Sequence, residues 1–445
     1  MNYLFNEKKD VELILSYNEE GSKDAEFFVE LSRDLKGKIY MNLERTDDEA
    51  LRRAFFALAS KANELKVESL SLELGQLNPK AVFEGLRQSE YFFDHYLSEK
   101  KKRYLKEVSF LTDRNEEELK EAFEEVNKVL DGVFLARDLT NYAAIDLYPS
   151  TLAEKAKEEL EPLGVKVDIY GQDEIEKLGM EAFLAVSYGS DKEPKLIVMT
   201  YKNSDKEPLA LVGKGLTYDS GGYSIKPAEG MVTMHGDMAG AASVIGAIKA
   251  IAAAKLDTHV VGVVAATENL IDGSAYKTGD IIGSMSGKSI EVVNTDAEGR
   301  LTLADALYYT STVIKPRYII DAATLTGAMV VALGNLSAGA VYNDEDLVKE
   351  LSKASSKMGE SVWAMPSFDE YGEMNKSHFA DIKNSGGRLG GGISAGMFLK
   401  EFVVDTPWVH VDIAGVSYED SPRAYYPKGA TGYLVKSLYQ LVKDE

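Results

Sequence analysis

Four continuous apolar runs in the second half of the chain set the strongest limit on its fold. The runs are KLIVMTYK at 195–202, LALVGKG at 209–215, HVVGVVAAT at 259–267 and RYIIDAATL at 317–325. Helical stretches such as AGAASVIGAIKAIAAAKL at 239–256 separate them. Strands without polar alternation are typically buried on both faces, because helices cover the sheet from both sides. The pattern therefore predicts an α/β domain whose sheet is flanked by helices.

A second, smaller domain is expected before these runs, because 445 residues exceed what one hydrophobic core usually supports. Strand patterns at 11–17 and 67–74 enclose a helical pattern at 47–65, which is typical of a small α/β unit. Residues 115–140 form a long amphipathic pattern. That helix either packs on its own domain or connects the two domains.

The domain boundary is predicted close to Pro149. This proline interrupts the helical pattern, and Thr151 with Glu154 fits a capping box at the start of a new helix. We therefore assign residues 1–147 to an N-terminal α/β domain that includes the long helix, and residues 148–445 to a C-terminal domain.

Charge and cysteine content exclude several classes of function. The chain has 50 Lys and Arg against 72 Asp and Glu, a formal net charge of -22, which disfavours nucleic-acid and membrane-surface partners. It contains no cysteine, so disulfides, thiolate metal sites and cysteine nucleophiles are excluded. The first residues lack the pattern of a secretory signal, and no apolar run is long enough for a membrane span. A cytoplasmic location is expected.

The first charged block is VGKGLTYDSGGYSIKP, residues 212–227. It predicts Lys214 at the end of a buried strand, at the edge where α/β sheets bind ligands, with Asp219 and Lys226 in the following loop. Its glycine spacing differs from that of a phosphate-binding P-loop, so a nucleotide-binding protein is the weaker alternative.

Two further blocks carry carboxylates. Asp237 directly precedes a helical pattern, and considered alone it is best interpreted as an N-cap. In NTDAEGRL, residues 294–301, the alternate positions Asp296, Glu298 and Arg300 would point to one side if the backbone were extended.

Together the blocks indicate a metal site. Buried charges are costly unless they are paired or bind metal, and three aspartates with one glutamate offer enough oxygen ligands for two divalent ions. Such ligands suit Zn, Mn, Mg or Co. The zinc-protease signature H-E-x-x-H is absent from the sequence, and His235 is interpreted as a residue that supports a metal ligand or packs near it, and not as a ligand itself.

These segments resemble the leucyl aminopeptidase family, the M17 or cytosol aminopeptidases. The similarity rests on VGKGLTYDSGGYSIKP, MHGDMAGAA, NTDAEGRL and DAATLTGAM, in the family's order and at nearly its spacing, and is strong from about residue 160 to 435. It implies a small N-terminal α/β domain joined by a long helix to a larger catalytic α/β domain with a central mixed sheet flanked by helices. It also implies a metal-dependent aminopeptidase that removes apolar first residues, such as leucine, from short peptides.

The resemblance implies two divalent metal ions per subunit, Zn or Mn and alternatively Mg or Co. The residues implied as ligands of the tightly held ion are Lys214, Asp219, Asp237 and Glu298. The residues implied as ligands of the exchangeable ion are Asp219, Asp296 and Glu298.

The resemblance also implies the catalytic roles. A hydroxide bridging the metals would be the nucleophile, and bicarbonate held by Arg300 would act as general base. Lys226 would donate to the oxygen of the scissile carbonyl.

The substrate pocket follows from the same resemblance. The residues implied around the first side chain are Met234, Thr324, Gly327 and Ala414. Ser417 departs from the methionine that some family members have, which leaves the preferred first residue open. The family forms homo-hexamers, and some relatives also bind DNA, so a non-catalytic binding role is the second hypothesis.

Overall fold

The computed structural model describes residues 1–17, 26–43 and 45–445. These residues divide into two compact units, Met1–Leu130 with Asp420–Lys428, and Asp131–Glu419 with Gly429–Glu445. Within the described ranges, none of the helices combines the length and apolar character needed to cross a bilayer.

The first unit is an α/β layer around a six-stranded sheet. Its strands and helices, in chain order, are β1 (Asn2–Phe5), β2 (Val11–Tyr17), β3 (Glu26–Leu31), β4 (Gly37–Leu43), α1 (Asp48–Glu64), β5 (Ser69–Glu73), α2 (Pro79–Gln88), β6 (Glu107–Leu111) and α3 (Glu116–Asn141). The sheet order is β1-β6-β5-β2-β4-β3, and β3 pairs antiparallel with β4 while the other pairs are parallel. Helix α1 begins where Asp47 accepts a hydrogen bond from the backbone N–H of Ala50.

Helix α3 was expected at 115–140, and the structure confirms it at Glu116–Asn141. The two units divide within this helix, after Leu130, whereas the sequence predicts a domain boundary at 147/148. The last turns of α3 pack in the second unit, where Gly132 approaches the backbone of Gly246 closely. Arg137 is fully buried there and donates to the carbonyl of Thr431.

The second unit is built on an eight-stranded mixed sheet of order β15-β14-β17-β13-β9-β10-β8-β7. Its strands and helices are α4 (Pro149–Leu160), β7 (Lys166–Tyr170), α5 (Gln172–Lys177), α6 (Glu181–Ser187), β8 (Lys195–Lys202), β9 (Leu209–Asp219), α7 (Ala228–Met231), α8 (Ala239–Ala253), β10 (His259–Asn269), β11 (Ile281–Ile282), β12 (Ile290–Glu291), α9 (Gly299–Tyr309), β13 (Ile319–Ala323), α10 (Gly327–Leu333), β14 (Ala338–Tyr342), α11 (Glu345–Lys357), β15 (Val362–Ala364), β16 (Ile382–Lys383), α12 (Gly391–Lys400), β17 (Trp408–Asp412), β18 (Tyr418–Glu419), β19 (Gly429–Ala430) and α13 (Val435–Lys443). The predicted fold class is confirmed.

The start of α4 differs in detail from the predicted capping box. Tyr148 is the N-cap, and its backbone N–H donates to the hydroxyl of Thr151 at 2.9 Å. Thr151 is therefore the third residue of the helix and not its cap, because Pro149 already occupies the first helical position.

The centre of the large sheet consists of β10, β9, β13 and β17, which are mutually parallel. Every residue of β13 and β17 is buried, as expected for apolar strands covered on both faces. The chain passes from β9 through α8 to β10 on one side, and then through α9 to β13 on the other. Such a reversal next to β9 opens a crevice at the carboxyl ends of the strands.

Helix α8 lies against this sheet because glycine permits a close approach. A Cβ at Gly240 would lie 2.0 Å from the carbonyl oxygen of Ala322 on β13. The apolar side chains of α8, such as Val244 and Ile248, are completely buried. This contact fixes the segment that precedes α8 at the carboxyl edge of the sheet.

Candidate active site at the carboxyl edge of the sheet

Polar side chains collect where the four parallel strands end. Asp219 ends β9, Asn269 ends β10, Thr324 follows β13 and Asp412 ends β17. The amide of Asn269 donates to Asp219 at 2.8 Å, so the ends of two neighbouring strands are joined directly. This edge is the usual ligand-binding face of an open α/β sheet.

Lys214 lies inside β9 and not at its end, because the strand continues to Asp219. Its ammonium group, buried with 3% exposure, lies 2.7 Å from Asp237 and 2.9 Å from Glu298. It also donates to the carbonyl of Thr324 at 2.9 Å. Burial alone would lower the pKa of Lys214, but the two carboxylates raise it above its usual value.

Lys226 joins two carboxylates of the same cluster. Its ammonium lies 2.7 Å from Asp219 and 2.6 Å from Asp296. Gly221, with φ of +84°, turns the chain between them, and its N–H donates to Asp219 at 2.8 Å. The side chain of Lys226 is 18% exposed, so it borders the open cavity.

The condition of an extended backbone is not met in NTDAEGRL. Asp296 lies in a turn, Glu298 precedes α9, and Arg300 is already helical. The two carboxylates still converge because α9 begins directly against β9. A Cβ at Gly299 would lie 2.4 Å from Cε of Lys214, so this position has no room for a side chain.

Three carboxylates lie close enough together to hold a metal ion. Oxygens of Asp219, Asp296 and Glu298 lie within 4.8 Å of one another. Oε1 of Glu298 pairs with Lys214, whereas its buried Oε2 has no hydrogen-bond partner among the described residues. An unsatisfied buried carboxylate oxygen is costly, and a divalent cation would satisfy it. The donor set therefore fits a metal.

Asp237 does not cap α8, contrary to the simplest interpretation of its position. The N-cap of α8 is Met238, and it makes no side-chain capping bond. The carboxylate of Asp237 instead accepts from Lys214 and from the hydroxyl of Thr324, at 2.9 and 2.7 Å. Burial raises the pKa of Asp237 to about 7 and the pKa of Asp219 to about 6.

Arg300 lies next to the cluster with its guanidinium partly engaged. One terminal nitrogen donates to the carbonyl of Asn384 at 2.7 Å, while the buried Nε has no partner among the described residues. Burial lowers the pKa of Arg300 to about 10, partly offset by Glu298 and Asp412. The guanidinium thus remains charged at neutral pH.

The cluster opens into a cavity of about 910 Å³. All eleven predicted site residues line it, namely Lys214, Asp219, Lys226, Met234, Asp237, Asp296, Glu298, Arg300, Thr324, Gly327 and Ala414. Ser417 lines it as well. The residues predicted from separate sequence segments therefore form one continuous surface of the second unit. The cavity is large enough for a small molecule or a short peptide.

Sequence analysis missed three polar residues that support this site. Asn269 bonds Asp219, Asn384 accepts from Arg300, and Asp412 accepts from Leu325 and Thr326. All three are polar residues at the end of a strand or directly after one. That position is the signal by which sequence analysis could have found them.

Comparison with known proteins agrees with the geometry. The model of the cytosol aminopeptidase family, catalytic domain, matches residues 134–439. A relative from Clostridium tetani, named "Probable cytosol aminopeptidase", is 54% identical over 90% of this chain and 85% of its own length. A relative of the same name from Treponema denticola is 48% identical over 95% of this chain and 92% of its own.

A solved structure has the same fold. The bottromycin maturation enzyme BotP in complex with Mn superposes with a TM-score of 0.88 at 30% identity, covering 98% of this chain and 99% of that one. The chain therefore belongs to the cytosol aminopeptidase family, a family of metal-dependent peptide hydrolases.

Proposed function

We propose that this protein is a dimetal aminopeptidase that removes the first residue, preferably leucine, from short peptides. The observation that carries the proposal is the convergence of Asp219, Asp296 and Glu298, with an unpartnered carboxylate oxygen, on the wall of a cavity. We assign this activity to residues 148–445.

Five side chains would hold the two divalent ions, namely Lys214, Asp219, Asp237, Asp296 and Glu298. Their oxygen-rich donor set suits Mn or Zn, and also Mg or Co, and a structural relative is described in complex with Mn. When bound, such ions supply a water of lowered pKa as nucleophile and polarise the scissile carbonyl. Lys214 would have to lose its proton to ligate, which a neighbouring dication promotes.

Lys226 has the position of an electrophilic group. Its ammonium lies at the border of the cavity and is held by Asp219 and Asp296. A cation fixed there would donate to the oxygen of the scissile carbonyl as negative charge develops on it. The two carboxylates keep Lys226 protonated and orient it before substrate arrives.

Arg300 would hold the bicarbonate that accepts the proton from the attacking water. Among the described residues that line the cavity, no carboxylate remains free for this role, since each one is assigned to a metal. A guanidinium is planar and matches a carboxylate-like anion with two parallel hydrogen bonds. The unpartnered Nε of Arg300 supports the assignment.

The first side chain of the substrate would lie among Met234, Thr324, Gly327 and Ala414. At Gly327 no atom lies within 4 Å of the place where a Cβ would be, which leaves room for a branched apolar group. Ser417 adds one polar group to the wall. We therefore expect leucine or methionine to be preferred.

Membership of the cytosol aminopeptidase family supports two further proposals, a cytoplasmic location and assembly as a homo-hexamer. Native mass spectrometry of the purified protein tests the assembly. A mass of six chains is expected, and a monomer at working concentration would contradict it.

The activity is tested with leucine p-nitroanilide after chelation, and again after Mn, Zn, Co or Mg is restored. N-acetyl-leucine p-nitroanilide is the matched control, because it lacks the free amine. We expect metal-dependent cleavage of the free-amine substrate alone. Cleavage of both substrates, or of neither with any metal, would refute the proposal.

A further inference from the structure

Arg388 is an exposed arginine on the wall of the same cavity. It lies in the glycine-rich segment between β16 and α12, in the sequence NSGGRLGGG at 384–392. Arg388 forms no ion pair with any residue that the structure describes. Arg388 has no role in the metal cluster, and sequence analysis does not name it as a site residue.

The other basic side chains in the cavity wall are all engaged. Lys214 and Lys226 each bridge two carboxylates, and Arg300 donates to the carbonyl of Asn384. Arg300 is also assigned to bicarbonate, so in the described part of the cavity wall Arg388 is the cation left to bind an anionic group of the substrate.

The surroundings of Arg388 leave room for a ligand. No atom lies within 4 Å of the position that a Cβ would take at Gly387, and this glycine has φ of +93°. Gly387 thus exposes backbone to the cavity directly before Arg388, whereas on the other side of the Arg388–Leu389 pair the ring of Tyr371 lies 3.4 Å from the Cβ position of Gly390. A peptide backbone can approach closely at such a surface.

A peptide bound with its free amine at the metal cluster has one obligatory anion, its C-terminal carboxylate. In a long peptide that group lies far from the amine, since each residue adds roughly 3.3 Å. In a dipeptide or tripeptide both ends fit into one cavity of about 910 Å³. A guanidinium binds a carboxylate with two parallel charge-assisted hydrogen bonds.

We propose that Arg388 binds the C-terminal carboxylate of dipeptide and tripeptide substrates and so selects short peptides with a free carboxyl end. The inference rests on the proposed aminopeptidase function and names its substrate class. It makes Arg388 a determinant of specificity and leaves the chemical step to the metal cluster.

The test compares leucyl-glycyl-glycine with its C-terminal amide, which differ only in the charge at the end. We expect the wild-type protein to favour the free acid about tenfold or more in kcat/KM, mainly through KM, since a charge-assisted pair contributes at least that factor. Arg388→Gln should reduce the ratio to about one. Arg388→Lys should restore part of the preference, because it keeps the charge and loses the planar fork.

Two controls keep the outcomes distinct. Leucine p-nitroanilide has no terminal carboxylate, so the rate of its hydrolysis should be unchanged in Arg388→Gln. Arg33→Gln, which removes an exposed arginine in the other unit, should keep the full preference for the free acid.

An acid-to-amide ratio near one in the wild-type protein, or a ratio that Arg388→Gln leaves unchanged, overturns the inference while cleavage of the anilide still upholds the proposed function. Peptide amides that contain an aspartate side chain provide a further comparison. If Arg388 favours these amides as strongly as it favours a free C-terminal carboxylate, the inference is also overturned. Failure to cleave the anilide, the acid and the amide with every metal overturns the proposed function and this inference with it.

Discussion

Asp412 accepts a hydrogen bond from the hydroxyl of Thr326 at 2.7 Å, which joins the end of β17 to the loop after β13. The same carboxylate accepts from the backbone N–H groups of Leu325 and Ala414, each at 3.1 Å. One buried side chain thus holds two walls of the proposed substrate pocket. Asp412 itself does not line the cavity.

Asp412→Asn should weaken this support, because one acceptor oxygen becomes a donor facing Thr326. We expect the free energy of unfolding to fall by roughly 1–3 kcal/mol and the KM for leucine p-nitroanilide to rise. Thr326→Val removes the same bond from the other side. In urea unfolding, the double variant should lose less stability than the sum of the two single variants. Simple additivity would show that the two side chains do not act together.

Glu298→Ala and Arg300→Ala should separate metal binding from turnover. Glu298 contributes the unpartnered oxygen of the carboxylate cluster, so its removal should abolish metal binding and activity together. Arg300 is assigned to bicarbonate, the proposed general base, so its removal should lower turnover about 100-fold while both metals stay bound. Metal content by elemental mass spectrometry and the rise in Tm on adding Mn measure binding independently of activity. Equal metal loss in the two variants would contradict these roles.

Gly299→Ala should disturb the cluster without removing any charge. The added Cβ would lie 2.4 Å from Cε and 2.7 Å from Nζ of Lys214, so the lysine must move. We expect a loss of roughly 1–3 kcal/mol in unfolding free energy and weaker metal binding. Gly273→Ala is the matched control, because nothing lies within 4 Å of its Cβ position. Wild-type metal affinity in Gly299→Ala would show that the position of Lys214 is unimportant.

The buried pair of His410 and Asp321 should make stability depend on pH. Burial alone would lower the pKa of His410, but Asp321, 2.6 Å from Nδ1, raises it above its usual value, with Asp412 adding to the rise and Arg300 opposing it. A raised pKa means that the folded state holds the proton more tightly. This contribution is complete below about pH 6.5 and is lost as pH rises through the folded-state pKa.

Urea unfolding of the wild-type protein from about pH 6 to 9 should therefore show a decline that His410→Gln reduces, since glutamine does not titrate. His378→Gln, at an exposed histidine, should keep the wild-type decline. If His410→Gln and the wild-type protein decline equally, another group carries the pH dependence.

Local sequence determined much of the architecture. The uninterrupted apolar runs predicted buried strands such as β10, and the amphipathic pattern predicted α3 nearly to its ends. Hydrophobic periodicity is sufficient to predict such elements, because burial of one face or of both faces requires apolar residues at regular positions along the chain. The charged blocks likewise identified seven charged residues that line the cavity, because buried charges near strand ends are costly without a function, whereas the pocket residues followed from the family resemblance.

Only the tertiary structure decided how these residues are held. Asn384 donates to the carbonyl of Asn294 and accepts from Arg300, although these partners are 90 and 84 residues away. Asp237 pairs with Lys214 and Thr324 instead of capping the nearby helix, because β9 and β13 bring those partners within 3 Å. Such hydrogen bonds depend on which strands are neighbours in the sheet. Local sequence does not determine that strand order.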